Sequence, residues 1–375
     1  MTTPANDTQH RSIQLIFITN AKVLQVQVTM MLRTSLFFLL TTWCTAASPS
    51  SANYSPQPNQ GKWTPLPSIP LYPRQEHTTV ALSSSIYIIG GVIPFLNNET
   101  FPTVTLVQQY SIPTQTWRLV APLPLPLNHA NAVVLNNKIY VLGGLTPQNG
   151  VWNASRACFE YDPSSNVWSL IDEFPEGRQI GAAAVGVEER SGEVYLVGGL
   201  RSTDVRDVEN VIEDTVDIFT SYNIHNRKWT THPALPAPCD HAGVGLVAEK
   251  LYVLGGRAFG HDNVVDTVFS YDLQRGVWKD DLPVMPTPRG GVASGVLGEW
   301  ILTVGGEGNP ANGSWGVFKE NQAFDTRRRK WVSLRDMDVP RHGTAGAVVG
   351  GKWYIPGGGT EEGGKPTSFF SCFEL

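Results

Sequence analysis

The chain has 375 residues, among them 36 glycines, 27 prolines and 11 tryptophans, and only 16% of its residues are charged. This composition favours many short strands joined by tight turns over long amphipathic helices, so an all-β fold is expected. The formal net charge is -5 and the longest basic run is Arg327–Lys330, which excludes nucleic acid as a partner because its binding requires extensive phosphate neutralisation.

The N-terminal segment is predicted to direct export. Residues 1–29 are interpreted as a non-native or disordered extension, and residues 30–47 as a signal peptide. The latter contain one positive charge at Arg33, an apolar run over 36–43 that is too short to cross a bilayer, and then small residues. An alternative is a disordered extension followed by a buried apolar segment. Residues 48–60 are expected to form a linker, and the mature chain is expected to be secreted without a membrane span.

Two further features bear on export. Asn-X-Ser/Thr acceptor sites for N-glycosylation, which fit an exported protein, occur at Asn53, Asn98, Asn153 and Asn312. Beyond the signal only Cys158, Cys239 and Cys372 remain. An odd number of cysteines cannot form a disulfide framework, so all three are expected to be unpaired.

A repeat organises the rest of the chain. KIYVLGG at residues 138–144 returns as KLYVLGG at residues 250–256. Glycine pairs begin at Gly90, Gly143, Gly198, Gly255, Gly305 and Gly357, at intervals of 53, 55, 57, 50 and 52 residues. Downstream, an aromatic precedes a tryptophan by seven residues in five units, at Tyr110, Tyr161, Tyr222, Tyr271 and Phe324. Turn formers between the two members predict a hairpin, and each unit therefore contains four strands.

The repeats are predicted to close into a ring. The last unit ends at Leu375 without a tryptophan strand, whereas residues 61–66 match that strand but have no unit before them. Pairing this N-terminal strand with the C-terminal sheet gives six complete blades and removes both open edges. Residues 61–375 are therefore expected to form one all-β, six-bladed propeller.

The glycine pair, the tyrosine three residues before it, and the spaced Tyr and Trp resemble the kelch repeat. The resemblance covers residues 61–375 and implies a six-bladed kelch β-propeller. The chain is also similar to the sialic-acid epimerases, which are exported kelch propellers that act on an acidic sugar without a cofactor. Some secreted propellers are copper radical oxidases, but no matching ligand set is found here. No metal or cofactor is expected.

Binding is predicted on one face. The segment before each innermost strand and the long loop after each glycine pair emerge together, and these loops vary most. Arginines that suit a carboxylate, phosphate or hydroxyl-rich ligand occur there at Arg74, Arg178, Arg289 and Arg341. His129 and His342 lie close by in sequence. The structural alternative is that these arginines tie neighbouring blades together.

Proton transfer is assigned to histidines and carboxylates near the same mouth. The candidates are His77, His241, Glu76 and Asp240, because histidine titrates near neutrality and a neighbouring carboxylate can fix its tautomer. Cys239, Asp240 and His241 are consecutive, so alternation along a strand would prevent them from forming one constellation.

Aromatic loop residues complete the predicted site. Trp152 and Trp315 lie on post-glycine loops and could stack on a sugar or a planar ligand. Arg257, His261 and Glu307 occur on the same loops and are interpreted as ordinary surface residues.

Two functional hypotheses follow. The first is an exported propeller that binds a small polar or anionic ligand, such as a carboxylate or a sugar, at an Arg/His-lined mouth, with cofactor-independent isomerase, epimerase or cyclase chemistry left open. The second is a non-catalytic extracellular scaffold that binds a protein or glycan. The sequence does not define the oligomeric state.

Overall fold

A computed structural model describes residues 55–94, 101–207 and 211–375. The described residues form β-strands, turns and loops and contain no helix, so none of them forms an apolar helix that could cross a membrane. The predicted extension, the signal peptide, Asn53 and Asn98 lie outside the described residues.

Six four-stranded antiparallel sheets form the blades, with strands numbered in chain order. Blade one contains β2 (Thr78–Leu82), β3 (Ser85–Ile89), β4 (Val107–Ser111) and β5 (Thr116–Leu119). Blade two contains β6 (Ala132–Leu135), β7 (Lys138–Leu142), β10 (Ala157–Asp162) and β11 (Val167–Glu173). Blade three contains β12 (Ala184–Glu188), β13 (Glu193–Val197), β16 (Phe219–Asn223) and β17 (Lys228–Thr231).

The second half of the chain repeats the pattern. Blade four contains β18 (Gly243–Val247), β19 (Lys250–Leu254), β20 (Val268–Asp272) and β21 (Val277–Lys279). Blade five contains β22 (Ala293–Leu297), β23 (Trp300–Val304), β26 (Asn321–Asp325) and β27 (Lys330–Ser333). Blade six contains β28 (Ala347–Val349), β29 (Lys352–Pro356), β32 (Phe370–Glu374) and the N-terminal β1 (Lys62–Leu66).

The post-glycine loops form smaller sheets of their own. β8 (Leu145–Gln148), β9 (Val151–Ala154), β14 (Leu200–Asp204) and β15 (Ile212–Thr215) join the loops of blades two and three into one four-stranded sheet. β24 (Glu307–Asn309) pairs with β25 (Gly316–Val317), and β30 (Gly359–Glu361) pairs with β31 (Gly364–Pro366). The long loops are therefore ordered by backbone pairing.

The innermost strands surround a central axis. β2, β6, β12, β18, β22 and β28 each contact the innermost strand of both neighbouring blades, and β28 contacts β2. This arrangement confirms the predicted all-β architecture of six radial blades. β1 pairs antiparallel with β32 over its whole length, and the Trp63 and Phe373 ring centroids lie 5.0 Å apart. The N-terminal strand thus shares a sheet with the C-terminal strands.

The glycine pair joins each blade to the next. A Cβ at Gly90 would lie 2.1 Å from the carbonyl oxygen of Leu127, and one at Gly198 would lie equally close to that of Cys239. Both glycines also have positive φ, which L-residues with a Cβ rarely adopt. The repeat therefore recurs because only glycine lets the backbone of the following blade approach this closely.

The three cysteines Cys158, Cys239 and Cys372 are buried and unpaired, as predicted. Cys158 and Cys372 belong to two different apolar clusters that pack between blades. The stability of the described residues therefore comes from packing and hydrogen bonding rather than from cross-links among these thiols.

Candidate functional site

A closed ring of backbone hydrogen bonds surrounds the mouth of the channel. In each blade one residue donates its N–H to the carbonyl oxygen of its counterpart in the preceding blade, over 2.7 to 3.3 Å. The six residues are Glu76, His129, Ala182, His241, Gly291 and Gly343. All six have φ between 48° and 65°, the left-handed region. Because these hydrogen bonds hold the six backbone positions in place, they also fix the points from which the side chains extend.

This geometry corrects the expectation that Asp240 and His241 point in opposite directions. β18 begins only at Gly243, so strand alternation does not apply, and the left-handed backbone of His241 turns its ring back towards its neighbour. His241 Nδ1 lies 2.6 Å from Asp240 Oδ1. Cys239 remains apart, because its thiol is directed at backbone carbonyl oxygens, including that of Gly255.

The six residues that directly follow the glycine pairs form a second ring, next to the first. Short backbone bridges pair it with the segment that leads into the innermost strand, as in Asp240 with Arg257 and Gly290 with Glu307. The two segments therefore share one face, as predicted. The second ring consists of apolar Val92, Leu145 and Leu200 and of Arg257, Glu307 and Gly359. These positions are therefore apolar in blades one to three and charged in blades four and five.

Arg257 is the centre of a buried ionic cluster. Its side chain is only 4% exposed and contacts the carboxylates of Glu213 at 2.7 Å, Asp240 at 3.3 Å and Glu307. Burial lowers the pKa of Arg257, but the three carboxylates outweigh that effect and raise it above its ordinary value. Thr215 donates a hydrogen bond of 2.5 Å to the other oxygen of Asp240. The cluster holds three loops together.

A second group surrounds the carboxylate of Glu76. Its Oε2 lies 3.0 Å from His129 Nε2 and 3.8 Å from His241 Nε2, and its Oε1 lies 3.7 Å from His342 Nδ1. Burial and the Arg257 charge lower the pKa of His241, but hydrogen bonds to Asp240 and Glu76 raise it to about 9. Three predicted site histidines therefore converge on one predicted carboxylate, although each comes from a different blade.

The remaining predicted histidine behaves differently. His77 is 4% exposed, and neither ring nitrogen has a side-chain hydrogen-bond partner among the described residues. Burial lowers its pKa to about 3, assisted by the charge of Arg74. His77 is therefore a neutral residue on the channel wall, outside the group around Glu76.

Two cavities meet at the first ring. The channel cavity, about 300 Å³, is lined mainly by small residues of the innermost strands. The mouth cavity, about 290 Å³, has an apolar wall that includes Trp152 and Phe101 and a polar side formed by the ionic cluster. Glu76 and His129 line both cavities, whereas His241 lines the channel.

The predicted arginine-lined mouth is not what the structure shows. Arg74, Arg289 and Arg341 are at most 1% exposed and line neither cavity. Arg341 donates to the carbonyl oxygen of Phe369 and to Ser371 of its own blade, at 2.9 and 3.0 Å. Arg74 and Arg289 likewise bond to groups within their own blades. These side chains fasten strands within a blade, where burial lowers their pKa values.

The sequence analysis also assigned Arg178 to the wrong position in its blade. The bridge from Gly181 to Leu200 shows that Ile180 occupies the position equivalent to Arg74, Arg289 and Arg341. Arg178 instead lies in a turn, where its N–H donates to the carbonyl oxygen of Pro175. The insertion in this blade shifted the predicted register by two residues.

The two loop tryptophans have different environments. Trp152 is 8% exposed, lines the mouth cavity and contacts the His129 ring at a centroid distance of 5.9 Å. Trp315 is 69% exposed and contacts Lys365 instead. Of the two, only Trp152 belongs to the cavity.

Sequence reasoning missed the residues that dominate the mouth. Arg257 and Glu307 are buried rather than surface residues, and Glu213, which the sequence did not single out, contacts Arg257. A usable signal existed for two of them, because both directly follow a glycine pair. Aligning that position across blades would have shown charged residues where the first three units have Val or Leu.

Comparisons with known proteins agree with the architecture. Residues 49–262 match the model of the Attractin/LZTR1 beta-propeller family. Kelch-like protein terF of Aspergillus terreus is 43% identical over 327 residues, which cover 86% of this chain and 69% of that protein. Kelch repeat and BTB domain-containing protein 12 of Danio rerio is 30% identical over 58% of this chain, and the match spans only 36% of that longer protein.

A solved structure shows the same fold at lower sequence similarity. The structure of YjhT superposes with a TM-score of 0.65 at 17% identity, covering 81% of this chain and 95% of that one. At this identity the likeness concerns the fold alone. Together with the six glycine-pair units and the blade topology, these matches show that the chain belongs to the kelch-repeat β-propeller family.

Proposed function

We propose that the protein binds a small, uncharged, hydroxyl-bearing molecule in the mouth cavity. The observation that carries this proposal is a set of buried cavity-lining oxygens that have no hydrogen-bond partner among the described residues. They are Gln75 Oε1, Thr203 Oγ1, Glu213 Oε2 and Glu362 Oε1. Buried polar atoms without partners are costly. A ligand whose O–H groups donate to these oxygens would remove that cost.

The charge of the cavity favours a neutral ligand over the anionic one expected from an arginine mouth. Four carboxylates line it, from Glu76, Glu213, Glu307 and Glu362, against the guanidinium of Arg257 and the imidazoles of His129, His261 and His342. A ligand carboxylate would be repelled in this partly desolvated space. The sugar-like part of the expectation is retained, whereas an acidic sugar fits poorly. Trp152 and Phe101 supply an apolar surface on which a ring can pack.

Ligand binding is tested by calorimetry and thermal shift with pairs of neutral sugars or cyclic polyols and their carboxylate counterparts. The neutral member of a pair should bind and raise the melting temperature, and Glu213→Gln or Thr203→Val should weaken its binding. Loss of one bond to a charged group costs about 1.5 to 3 kcal/mol, or roughly ten- to a hundred-fold in affinity. Arg275→Ala, on an exposed hairpin, is the control. Tighter binding of the carboxylate members would contradict the proposal.

Conversion of the bound ligand is a second candidate, favoured by one pair of residues. His261 lines the mouth cavity, and its Nε2 lies 3.7 Å from Glu213 Oε1. Burial and the Arg257 charge lower the His261 pKa, so its imidazole is available as a base near neutral pH. Isomerase or cyclase chemistry would use this base. Nuclear magnetic resonance of a ligand that binds should show conversion by the wild type and none by His261→Gln.

The non-catalytic scaffold is favoured by a different observation. Ile212, Phe259 and Trp315 lie on three post-glycine loops and are 70%, 61% and 69% exposed. Exposed apolar side chains of this size mark protein-binding surfaces when they are contiguous. Replacing all three with serine should abolish capture of a protein partner if this hypothesis is right, without changing ligand affinity in the cavity.

Export is retained as part of the proposal on sequence grounds. Asn312 is exposed on the loop after blade five's glycine pair, whereas Asn153 is half-buried within β9. Of these two acceptor sites, Asn312 is therefore the one that a glycan could reach on the folded chain.

A further inference from the structure

We propose that Glu76, His129 and His241 form a binding site for a first-row divalent transition metal where the two cavities meet. One potential ligand atom from each residue lies within 4.8 Å of the others. Metal bonds of about 2.0 to 2.2 Å to imidazole nitrogen and carboxylate oxygen are compatible with such spacing. Two histidines and one carboxylate suit zinc and iron-type ions. This inference goes beyond the proposed function, since it requires no organic ligand.

In the imidazoles of His129 and His241, hydrogen bonds at Nδ1 orient the opposite nitrogen, Nε2, which would bind the metal. Nδ1 of His129 lies 2.6 Å from Asn128 Oδ1, and Nδ1 of His241 lies 2.6 Å from Asp240 Oδ1. Each oxygen accepts a hydrogen bond from Nδ1–H, so Nε2 of each imidazole is the atom that faces Glu76, and a bound metal would displace the proton at that nitrogen. Metal-binding histidines are oriented in this way by amide, carboxylate or carbonyl acceptors. Two rings from different blades share the arrangement.

The backbone ring makes the three side chains converge and leaves space beside them. All three residues are members of the hydrogen-bonded ring, so their separations are set by the blades rather than by a mobile loop. A Cβ at Gly343 would lie 2.0 Å from Glu76 Oε1, so a side chain there would displace the Glu76 carboxylate. Since Glu76 and His129 line both cavities, water or a ligand oxygen can reach the remaining coordination positions.

Charge balance supports a cation at this place. Arg257 contacts the carboxylates of Glu213, Asp240 and Glu307, and the half-buried carboxylate of Glu76 lies next to the same cluster through His241. Carboxylates outnumber the guanidinium, and uncompensated buried charge is strongly unfavourable, so a divalent ion that displaces the imidazole protons facing Glu76 would keep positive charge beside these carboxylates. Arg257 Nη2 lies 3.4 Å from His241 Nε2, but its charge is already matched by carboxylates.

The test uses purified protein stripped with a chelator and titrated with zinc chloride by calorimetry, and separately with Co²⁺ by visible absorption. One ion should bind per chain. Asn128→Ala removes the hydrogen-bond partner of His129 Nδ1, together with the amide's bond to Thr103, and should weaken zinc binding by roughly ten- to a hundred-fold. Glu76→Gln, His129→Ala and His241→Ala should each weaken it more. His225→Ala, an exposed histidine of another hairpin, should bind as the wild type does.

Circular dichroism and melting of the metal-free variants establish that each one is folded. If a ligand variant does not fold, the Asn128→Ala titration and the wild-type Co²⁺ spectrum decide. Absence of a stoichiometric zinc site in the wild type would overturn the proposal, as would equal affinity in Asn128→Ala, His129→Ala and wild type. Thr203→Val should impair organic-ligand binding while leaving zinc binding intact, so failure of the ligand proposal is distinguishable from failure of this one.

Discussion

Replacing Arg257 with methionine should destabilise the propeller far more than removing an exposed arginine does. The Arg257 side chain is 4% exposed and touches three carboxylates, so methionine would leave those charges buried without their cation. Breaking a buried pair in this way costs about 3 to 5 kcal/mol. In a domain of this size about 2 °C corresponds to 1 kcal/mol, so the melting temperature should fall by about 6 to 10 °C.

The pH dependence of the effect follows from Glu307. Burial alone would raise the pKa of Glu307, but His342 and Arg257 hold it well below its usual value. A depressed carboxyl pKa stabilises the wild type above the unfolded pKa of about 4.3, and that stabilisation is lost as the pH falls. Without Arg257, burial has a larger effect on the carboxyl pKa values, so the carboxylates of the variant take up protons at higher pH. The destabilisation of the variant decreases as they do. The difference between the two proteins should therefore shrink from pH 7 towards pH 4.5.

The assay is thermal melting followed by circular dichroism at pH 7, 6, 5 and 4.5. Arg275→Met is the matched control, since the Arg275 side chain is 75% exposed and pairs with Asp272 at 3.1 Å. Exposed pairs contribute about 0 to 1 kcal/mol, so this control should melt within about 2 °C of the wild type. If Arg257→Met melts as the Arg275 variant does, or if its deficit grows as the pH falls, the account of the ionic cluster is wrong.

Four further outcomes are expected. Deleting residues 62–66 should lower the melting temperature of the whole domain, because it exposes the edge of β32; melting within about a degree of the intact chain would argue against this. Arg289→Ala should lower the melting temperature while leaving cavity-ligand affinity unchanged, and the reverse result would restore the arginine mouth. Burial raises the pKa of Cys158 and of Cys372, so a thiol reagent at pH 7 should label both only after unfolding, and fast labelling of native protein would contradict their packing. A secreted preparation should carry a glycan removable by glycosidase at Asn312, and Asn312→Gln should abolish that mass shift.

The repeat allowed most of the fold to be predicted. Glycine pairs at near-constant spacing and the paired aromatics are local patterns, and each one constrains a short stretch of backbone. Tyr110 and Trp117, whose spacing predicted two strands joined by a hairpin, are partners in the β4–β5 register and have ring centroids 5.1 Å apart. The arginine interpretation failed at the next level, because Arg74 occupies the predicted ring position but bonds within its own blade. Whether an arginine side chain points into the central channel or into its own blade depends on packing that no local pattern encodes.

The sequence by itself determined the all-β class, the six units and the face that carries the irregular loops, because these follow from turn chemistry and strand periodicity within each repeat. Only the tertiary structure decided which side chains meet. Glu76, His129 and His241 come from three blades, so their contact depends on ring closure and on the left-handed backbone at each position. The burial of Arg257 beside Glu213 and Glu307 likewise arises where separate loops converge on one axis, and no spacing along the chain measures that distance.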